Sequence, residues 1–383
     1  MALDSETLNL LLDAVRRFVA ERLMPAEQQV AETGTIPDEI VEEMRALGLF
    51  GLSIAPEYGG LGLNMEEEAQ VAMALGRTSP AFRSLAGTNI GIGSQAIVLA
   101  GTDAQRETYL PKLASGEIIG SFALTEPEAG SDAMSLRTWA RRDGDHYILN
   151  GTKRFITNAP IAGLFTVMAR TDEARKADAI SCFLVEAGTP GLSVGKPDKK
   201  MGQAGALTAD VIFDNCRVPA TALLGGAEGN GFRTAMRVLD KGRLHISALC
   251  VGIADRLIED AVRYAAERRQ FGQPIADFQL VQAMIADSQT EAYAARCMVL
   301  DAARKRDRGE NTTMQAACCK LFATEMVGRV ADRAVQIHGG AGYMADYAVE
   351  RFYRDVRLFR LYEGTSQIQQ LVIARETMKL HAA

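Results

Sequence analysis

Four histidines are too few to suggest a zinc site, and none is spaced with a cysteine or a second histidine in a ligand pattern. The six cysteines, Cys182, Cys216, Cys250, Cys297, Cys318 and Cys319, include no CxxC pair. They fit reduced, buried thiols of a cytoplasmic protein. No apolar run approaches the length of a membrane span, and Met1-Ala-Leu-Asp-Ser-Glu6 has neither the basic nor the apolar region of a secretory signal. An excess of positive charge is also missing: 42 Lys and Arg face 48 Asp and Glu, which argues against general nucleic-acid binding and leaves open a local basic site for a phosphorylated ligand. The glycine-rich stretch Gly225-Gly-Ala-Glu-Gly-Asn-Gly231 lacks the Lys-Ser/Thr ending of a phosphate-binding loop and reads as a domain boundary. There is no internal repeat and no low-complexity tract.

What remains is a globular composition, 48% hydrophobic and 23% charged, in a chain long enough for two or three domains. Residues 1–120 read as helices. Leu8, Leu11, Leu12, Val15, Phe18, Val19 and Leu23 recur at helical spacing until Pro25 stops them. A second helix follows Pro37-Asp38 and ends at Gly48, Pro56 to Gly60 forms a turn, and the small residues from Ala86 to Gly101 predict a closely packed helix. Residues 121–230 change character. Short β-rich runs at Tyr147-Ile-Leu149, Arg154–Thr157, Phe165–Met168, Cys182–Val185 and Asp210–Phe213 are punctuated as in an antiparallel barrel or sandwich. Helical periodicity returns over 231–383, with helices expected at about 232–267, 279–308, 312–338, 346–356 and 366–379. Ser366 with Gln369 fits a capping box for the last. The fold class is therefore α+β and mainly α: an N-terminal helical domain, a middle β domain and a C-terminal bundle.

Two stretches carry chemistry. Phe122-Ala-Leu-Thr-Glu-Pro-Glu-Ala-Gly-Ser-Asp132 begins as an apolar strand and breaks at Pro127 and Gly130 into a polar turn. The break frees backbone N–H groups and the hydroxyls of Thr125 and Ser131, either for a hairpin's own caps or for a flat, acceptor-rich ligand. Arg354-Asp355 precedes Tyr362-Glu-Gly-Thr-Ser-Gln-Ile-Gln369. There Glu363 stands just before a helix start, where the dipole and free N–H groups favour an anion. It is either a surface carboxylate or a general base that Gly364 lets a substrate approach.

Both stretches resemble signatures of the acyl-CoA dehydrogenases, and the resemblance runs nearly end to end over residues 35–375. It implies an enzyme in which Glu363 removes the α-proton of a CoA thioester while the β-hydrogen leaves as hydride to FAD. A thioester α-proton is far too weakly acidic for a carboxylate in water. Burial raises the basicity of the carboxylate, and hydrogen bonds to the thioester oxygen stabilise the enolate. Some branches of the family carry the base on an earlier helix, and the matching position here is Gly242, which has no carboxylate.

The resemblance assigns the flavin to Phe122, Leu124 and Thr125 together with Phe155, Ile156 and Thr157. From Glu267-Arg-Arg-Gln-Phe-Gly272, which by itself needs only to complement a helix dipole, it assigns Arg268 and Phe271, with Gln279, to the FAD of a neighbouring subunit. Gln336, Gly339 and Gly340, a glycine C-cap in the plainest reading, would form a second FAD loop, and Thr365 and Gln367 would complete the set. Ser131 and Arg243 match CoA-contacting positions, and Tyr362 and Gly364 flank the base. The implied assembly is a homotetramer, a dimer of dimers, that passes electrons to electron-transfer flavoprotein.

Phe82-Arg-Ser84 falls where glutaryl-CoA dehydrogenases hold a distal carboxylate by an arginine. Arg83, beside Ser84, either grips such a carboxylate or makes an ion pair with Asp or Glu at a helix start. The acyl group is then dicarboxylic in the first case and short or medium monocarboxylic in the second. An acyl-CoA oxidase, a nitroalkane oxidase or an inactive binding subunit are the competing expectations.

Overall fold

The computed structural model describes residues 3–173 and 176–382. Asp4 opens α1 (Ser5–Phe18) by accepting from the N–H groups of Glu6 and Thr7 at 3.0 and 2.9 Å. Leu12, Val15 and Phe18 bury one stripe of it. Pro25 does not stop this helix, contrary to expectation. A π turn at Val19–Leu23 widens the coil, Met24 N–H bonds back to Val19 O, and α2 (Met24–Thr33) carries Pro25 in its first turn. Next come α3 (Asp38–Ala46) and α4 (Met65–Leu75), the latter opened by an Asn64–Glu67 capping box. The small-residue stretch is two helices rather than one, α5 (Pro80–Thr88) and α6 (Gln95–Ala100), joined by a second π turn. Its smallness has a cause: a Cβ on Gly93 would lie 2.9 Å from the backbone of Gly120. α7 (Asp103–Ser115) completes this part.

The middle sheet is built from β1 (Gly120–Ala123), β2 (Trp139–Asp143), β3 (His146–Thr157), β4 (Leu164–Arg170), β5 (Ile180–Glu186), β6 (Leu192–Val194) and β7 (Thr208–Pro219). Its order is β1-β4-β2-β3-β7-β6, with β5 paired to β4. Pairing is mostly antiparallel, but β1 runs parallel to β4, and a single parallel bridge, Trp139 to Arg170, joins β2 to β4. The runs at Tyr147 and Arg154 belong to one strand, β3, whose register against β7 shifts between Leu149 and Gly151 and again between Lys153 and Ile156. Tyr147, Phe165, Phe183 and Phe213 fill the core of this sheet.

The C-terminal bundle holds α8 (Gly231–Glu267), the short hairpin β8 (Arg269–Gln270) and β9 (Gln273–Pro274), α9 (Gln279–Asp307), α10 (Thr313–His338), α11 (Ala348–Val356) and α12 (Ser366–Ala382). Met65, Ala69, Ala72 and Met73 of α4 share the bundle's core with Leu249, Val327 and Phe352. A further cluster, including Ile97, Phe122, Leu124, Leu184 and Val238, seals helices, sheet and α8 together beneath the site. Of the cysteines expected to be buried, Cys297 is exposed and Cys318 half-buried; both lie on outward positions of bundle helices. Among the described residues no helix is long and apolar enough to cross a membrane.

Candidate active site

Glu363 lies in the short link between the 3₁₀ turn Arg357–Arg360 and α12. Its φ is 52° and that of Gly364 is 90°, two consecutive residues in the left-handed region. For glutamate this conformation is strained and has to be held by its surroundings. The link is gripped from behind. Lys320 Nζ on α10 donates to Gly364 O at 2.7 Å, and Gln369 Nε2 donates to Gly364 O and Glu363 O at 2.9 and 3.2 Å.

The expected capping box is corrected here. Thr365 is the cap, its Oγ1 accepting from Ile368 N–H at 3.2 Å, while Ser366 Oγ donates to Glu325 at 2.6 Å. Gln369 is turned back to the strained link and is not free to close a box.

The carboxylate of Glu363 turns inward against α8. A Cβ built on Gly242 would fall 2.3 Å from Oε2, so the missing side chain there is the space the carboxylate uses. Oε2 is buried with no hydrogen-bond partner among the described residues. Burial pushes the carboxyl above the usual range, and the charges of Arg83, Lys320 and Arg243 pull it back. That balance suits a base that must be ionised yet poorly solvated.

This carboxylate lines a cavity of about 320 Å³. Phe122, Leu124, Thr125 and Ser131 form one wall, and Phe155, Ile156 and Thr157 a second. Arg83 and Ser84 of α5, Arg243 of α8, and Tyr362 and Gly364 close the remainder. The shift in register between Lys153 and Ile156 explains the second wall: extra chain in β3 swings Phe155 outward at φ 57°, with the Arg154 guanidinium 4.9 Å from its ring centre. On the first wall, Glu126 and Ala129 satisfy each other's N–H groups. Those of Thr125, Gly130 and Ser131 find no acceptor among the described residues.

Arg83 is 4% exposed and makes no ion pair among the described residues. Its Nε donates to His245 Nδ1 at 3.0 Å, and Nη2 lies 2.6 Å from the same nitrogen. The imidazole pKa is pushed well below its ordinary value by burial and then by Arg83, so His245 is a neutral acceptor. A Cβ on Gly87 would meet Arg83 Nε at 2.4 Å, and glycine there makes room for the guanidinium. Arg243 is steadied by Asp240 at 2.7 Å, and its Nε is buried without a partner among the described residues.

The other expected cofactor residues do not line this cavity. Arg268, Phe271 and Gln279 are exposed at the far end of α8 and the start of α9. Gln336, Gly339 and Gly340 are exposed at the end of α10, which meets that of α8 through stacked Tyr264 and His338 rings 4.3 Å apart. Thr365 and Gln367 stay outside on the first turn of α12. Lys320 and His245 were not anticipated, and Gln369 was expected only as part of a capping box; a lone lysine in the apolar run Ala316-Ala-Cys-Cys-Lys-Leu-Phe322 was the one available signal. Among the described residues, no three His, Cys, Asp or Glu side chains could hold a metal ion.

The residues of the two walls fit the flavin implied by the sequence resemblance. They offer an outward aromatic ring, unpaired backbone donors and hydroxyls beside an apolar slot, with the carboxylate across it.

The chain matches the acyl-CoA dehydrogenase N-terminal domain over residues 5–117, the middle domain over 121–216 and the C-terminal domain over 229–378. It is 44% identical over 372 residues to an acryloyl-CoA reductase (NADH) of Anaerotignum propionicum, covering 97% of this chain and 94% of the relative. It is 40% identical to the caffeyl-CoA reductase-Etf complex subunit CarC of Acetobacterium woodii, covering 97% and 98%. Butyryl-CoA dehydrogenase from Megasphaera elsdenii superposes with a TM-score of 0.94 at 34% identity, over 99% of this chain and 100% of that one. A glutaryl-CoA dehydrogenase from Mycobacterium smegmatis in complex with FADH2 does so with 0.92 at 31% identity, over 98% and 95%. The chain therefore belongs to the acyl-CoA dehydrogenase family and is a flavin-dependent oxidoreductase whose cofactor is FAD.

Proposed function

We propose that the protein interconverts a saturated acyl-CoA thioester and its 2-enoyl counterpart, with Glu363 as the base at the α-carbon. The observation that carries this reading is the inward carboxylate, packed against Gly242 with Oε2 shielded and unbonded among the described residues. FAD, held by the Thr125 and Phe155–Thr157 walls, supplies the two-electron acceptor that no side chain provides. Glu363 takes the α-proton. Its own amide N–H, which has no acceptor among the described residues, is left to bond the thioester oxygen as negative charge develops there. Arg243 and Ser131, which line the cavity, bind the CoA portion.

The acyl group on this reading is dicarboxylic. Arg83 reaches the cavity as a cation that, among the described residues, is hydrogen-bonded to a neutral imidazole and makes no ion pair, so no protein carboxylate is in direct contact with its guanidinium. A distal substrate carboxylate would complete it. The exposed set of Arg268, Phe271, Gln279, Gln336, Gly339 and Gly340 serves the FAD of a second copy in a homotetramer. Electron-transfer flavoprotein is the proposed acceptor, in keeping with the Etf complex named for the Acetobacterium relative.

The test is anaerobic flavin bleaching across straight, branched and ω-carboxylated thioesters. Glu363→Gln is expected to keep FAD and lose bleaching by more than about 10²–10⁴-fold, the range of ordinary acid–base assistance. Near-normal bleaching in that variant removes Glu363 as base. Arg83→Met is expected to weaken use of glutaryl-CoA far more than of butyryl-CoA, and equal losses on both assign Arg83 to structure.

A further inference from the structure

We infer that Lys320 is a positioning residue for Glu363: its buried ammonium pins the strained Glu363–Gly364 link through the Gly364 carbonyl and favours the charged form of the Glu363 carboxylate. The inference rests on the reading of Glu363 as the base.

Lys320 sits on the inward face of α10 with 0% exposure, yet no carboxylate lies within ion-pair distance of it among the described residues. A buried lysine without such a partner is costly. Here the amine spends a donor on Gly364 O at 2.7 Å, the carbonyl that follows the carboxylate in the chain. The second donor to that oxygen, Gln369 Nε2 at 2.9 Å, is neutral. Geometry could therefore be kept by an amide alone, and a charge placed there has a further consequence.

The charged groups facing Glu363 come from three helices: Arg83 on α5, Arg243 on α8 and Lys320 on α10. Two of these have other engagements. Arg83 is bonded to His245, and Arg243 is paired with Asp240. Around Lys320 itself stand Glu363, Cys250 and Arg243, with Glu325 on its own helix. Burial draws its pKa down to about 8, with Glu363 the first of the groups resisting that fall. The sign follows. Below about 8 the ammonium is present and lowers the pKa of Glu363; above it the amine still donates to Gly364 but no longer favours the carboxylate.

The experiment measures substrate-dependent flavin reduction against pH in the FAD-loaded enzyme, for wild type, Lys320→Met, Lys320→Arg and Glu363→Gln. Infrared spectra of the same samples follow the protonated carboxyl band that Glu363→Gln removes. In Lys320→Met the acid limb of the rate is expected to move up by about one pH unit, so that activity falls about tenfold along that limb and recovers as the pH is raised. The carboxyl band should persist to correspondingly higher pH. Lys320→Arg, which keeps its charge throughout, should hold the wild-type acid limb.

A uniform rate loss with an unmoved limb and band overturns the inference. So does an acid limb in Lys320→Arg that moves up by a full unit although the charge is kept, which decides the matter even where Lys320→Met does not fold. Turnover retained in Glu363→Gln removes the base reading itself, whereas an inactive Glu363→Gln beside an unshifted Lys320→Met removes Lys320 alone.

Discussion

Glu363 adopts a backbone conformation that L-residues seldom accept, and its carboxylate rests where any side chain on Gly242 would collide with it. The atom that would be struck is the far end of a flexible side chain, so the protein could yield at small cost in stability while the reacting oxygen moves. Gly242→Ala should accordingly leave the melting temperature and FAD content near wild type. Flavin bleaching should fall about 10²-fold, the penalty for displacing a catalytic atom by about 1 Å. Unchanged bleaching would mean that the carboxylate works from another position. Glu363 was legible in the sequence because its neighbours form a continuous motif. His245 and Lys320 were not, since what defines them is a partner far along the chain: Arg83 for one, the Gly364 carbonyl for the other. A side chain whose partner is a backbone atom leaves no complementary residue type to notice.

The turn proposed to bind the flavin is held from below by one buried carboxylate. Glu126 accepts from Arg137 N–H, from Thr138 N–H and Oγ1, and from Lys153 Nζ at 2.8 Å; the same amine also donates to Leu124 O at 3.2 Å. The bulge that presents Phe155 begins at Lys153, so this cluster fixes both walls of the slot together. Burial opposes the charges at both ends. At Glu126 the lysine and the other donors prevail and the pKa is lowered, while at Lys153 burial prevails and draws the ammonium to about 8. Because the carboxyl pKa is depressed on folding, its contribution is complete above the ordinary carboxylate range and is lost as pH falls through the folded value. Glu126→Ala should cost about 3–5 kcal/mol in denaturant unfolding, by stranding a buried ammonium, and should loosen FAD. Adding Lys153→Met should restore part of that stability, since the stranded charge goes with it. A double variant less stable than Glu126→Ala would refute this account. The turn was visible in the sequence through Pro127 and Gly130, and the longer strands through their apolar runs. β2, with the sequence Trp139-Ala-Arg-Arg-Asp143, and the three-residue β6 were missed. β2 pairs with its neighbour β3 across the tight turn at Gly144-Asp145 but buries only Ala140, and β6 has none of its three residues buried, so neither offers the apolar run by which a strand is read.

Across the whole molecule α8 is the organising member, 37 residues that pass the Glu363 carboxylate at Gly242 and end beside Arg268 and Phe271. By helical rise, Gly242 and Arg268 are about 40 Å apart, which puts the two sets of proposed cofactor residues at opposite ends of one chain. Phe271, 94% exposed, and Tyr343, 86% exposed, leave an aromatic surface at the second end that a partner would cover. The sequence resemblance had already assigned that set to a neighbouring subunit, but composition and periodicity alone could not, because a surface that waits for its own copy has the pattern of an ordinary helix end. The consequence can be tested with two inactive variants. Glu363→Gln retains Arg268 but has no base, and Arg268→Glu retains the base but cannot serve the cofactor of its neighbour. When the two are co-expressed, a mixed assembly contains sites whose Glu363 comes from one chain and Arg268 from the other. Bleaching should reappear in the mixture, in proportion to the hybrid fraction resolved by native mass spectrometry. Activity that stays absent in verified hybrids would place the whole cofactor site within one chain and leave the exposed end of α8 with some other role.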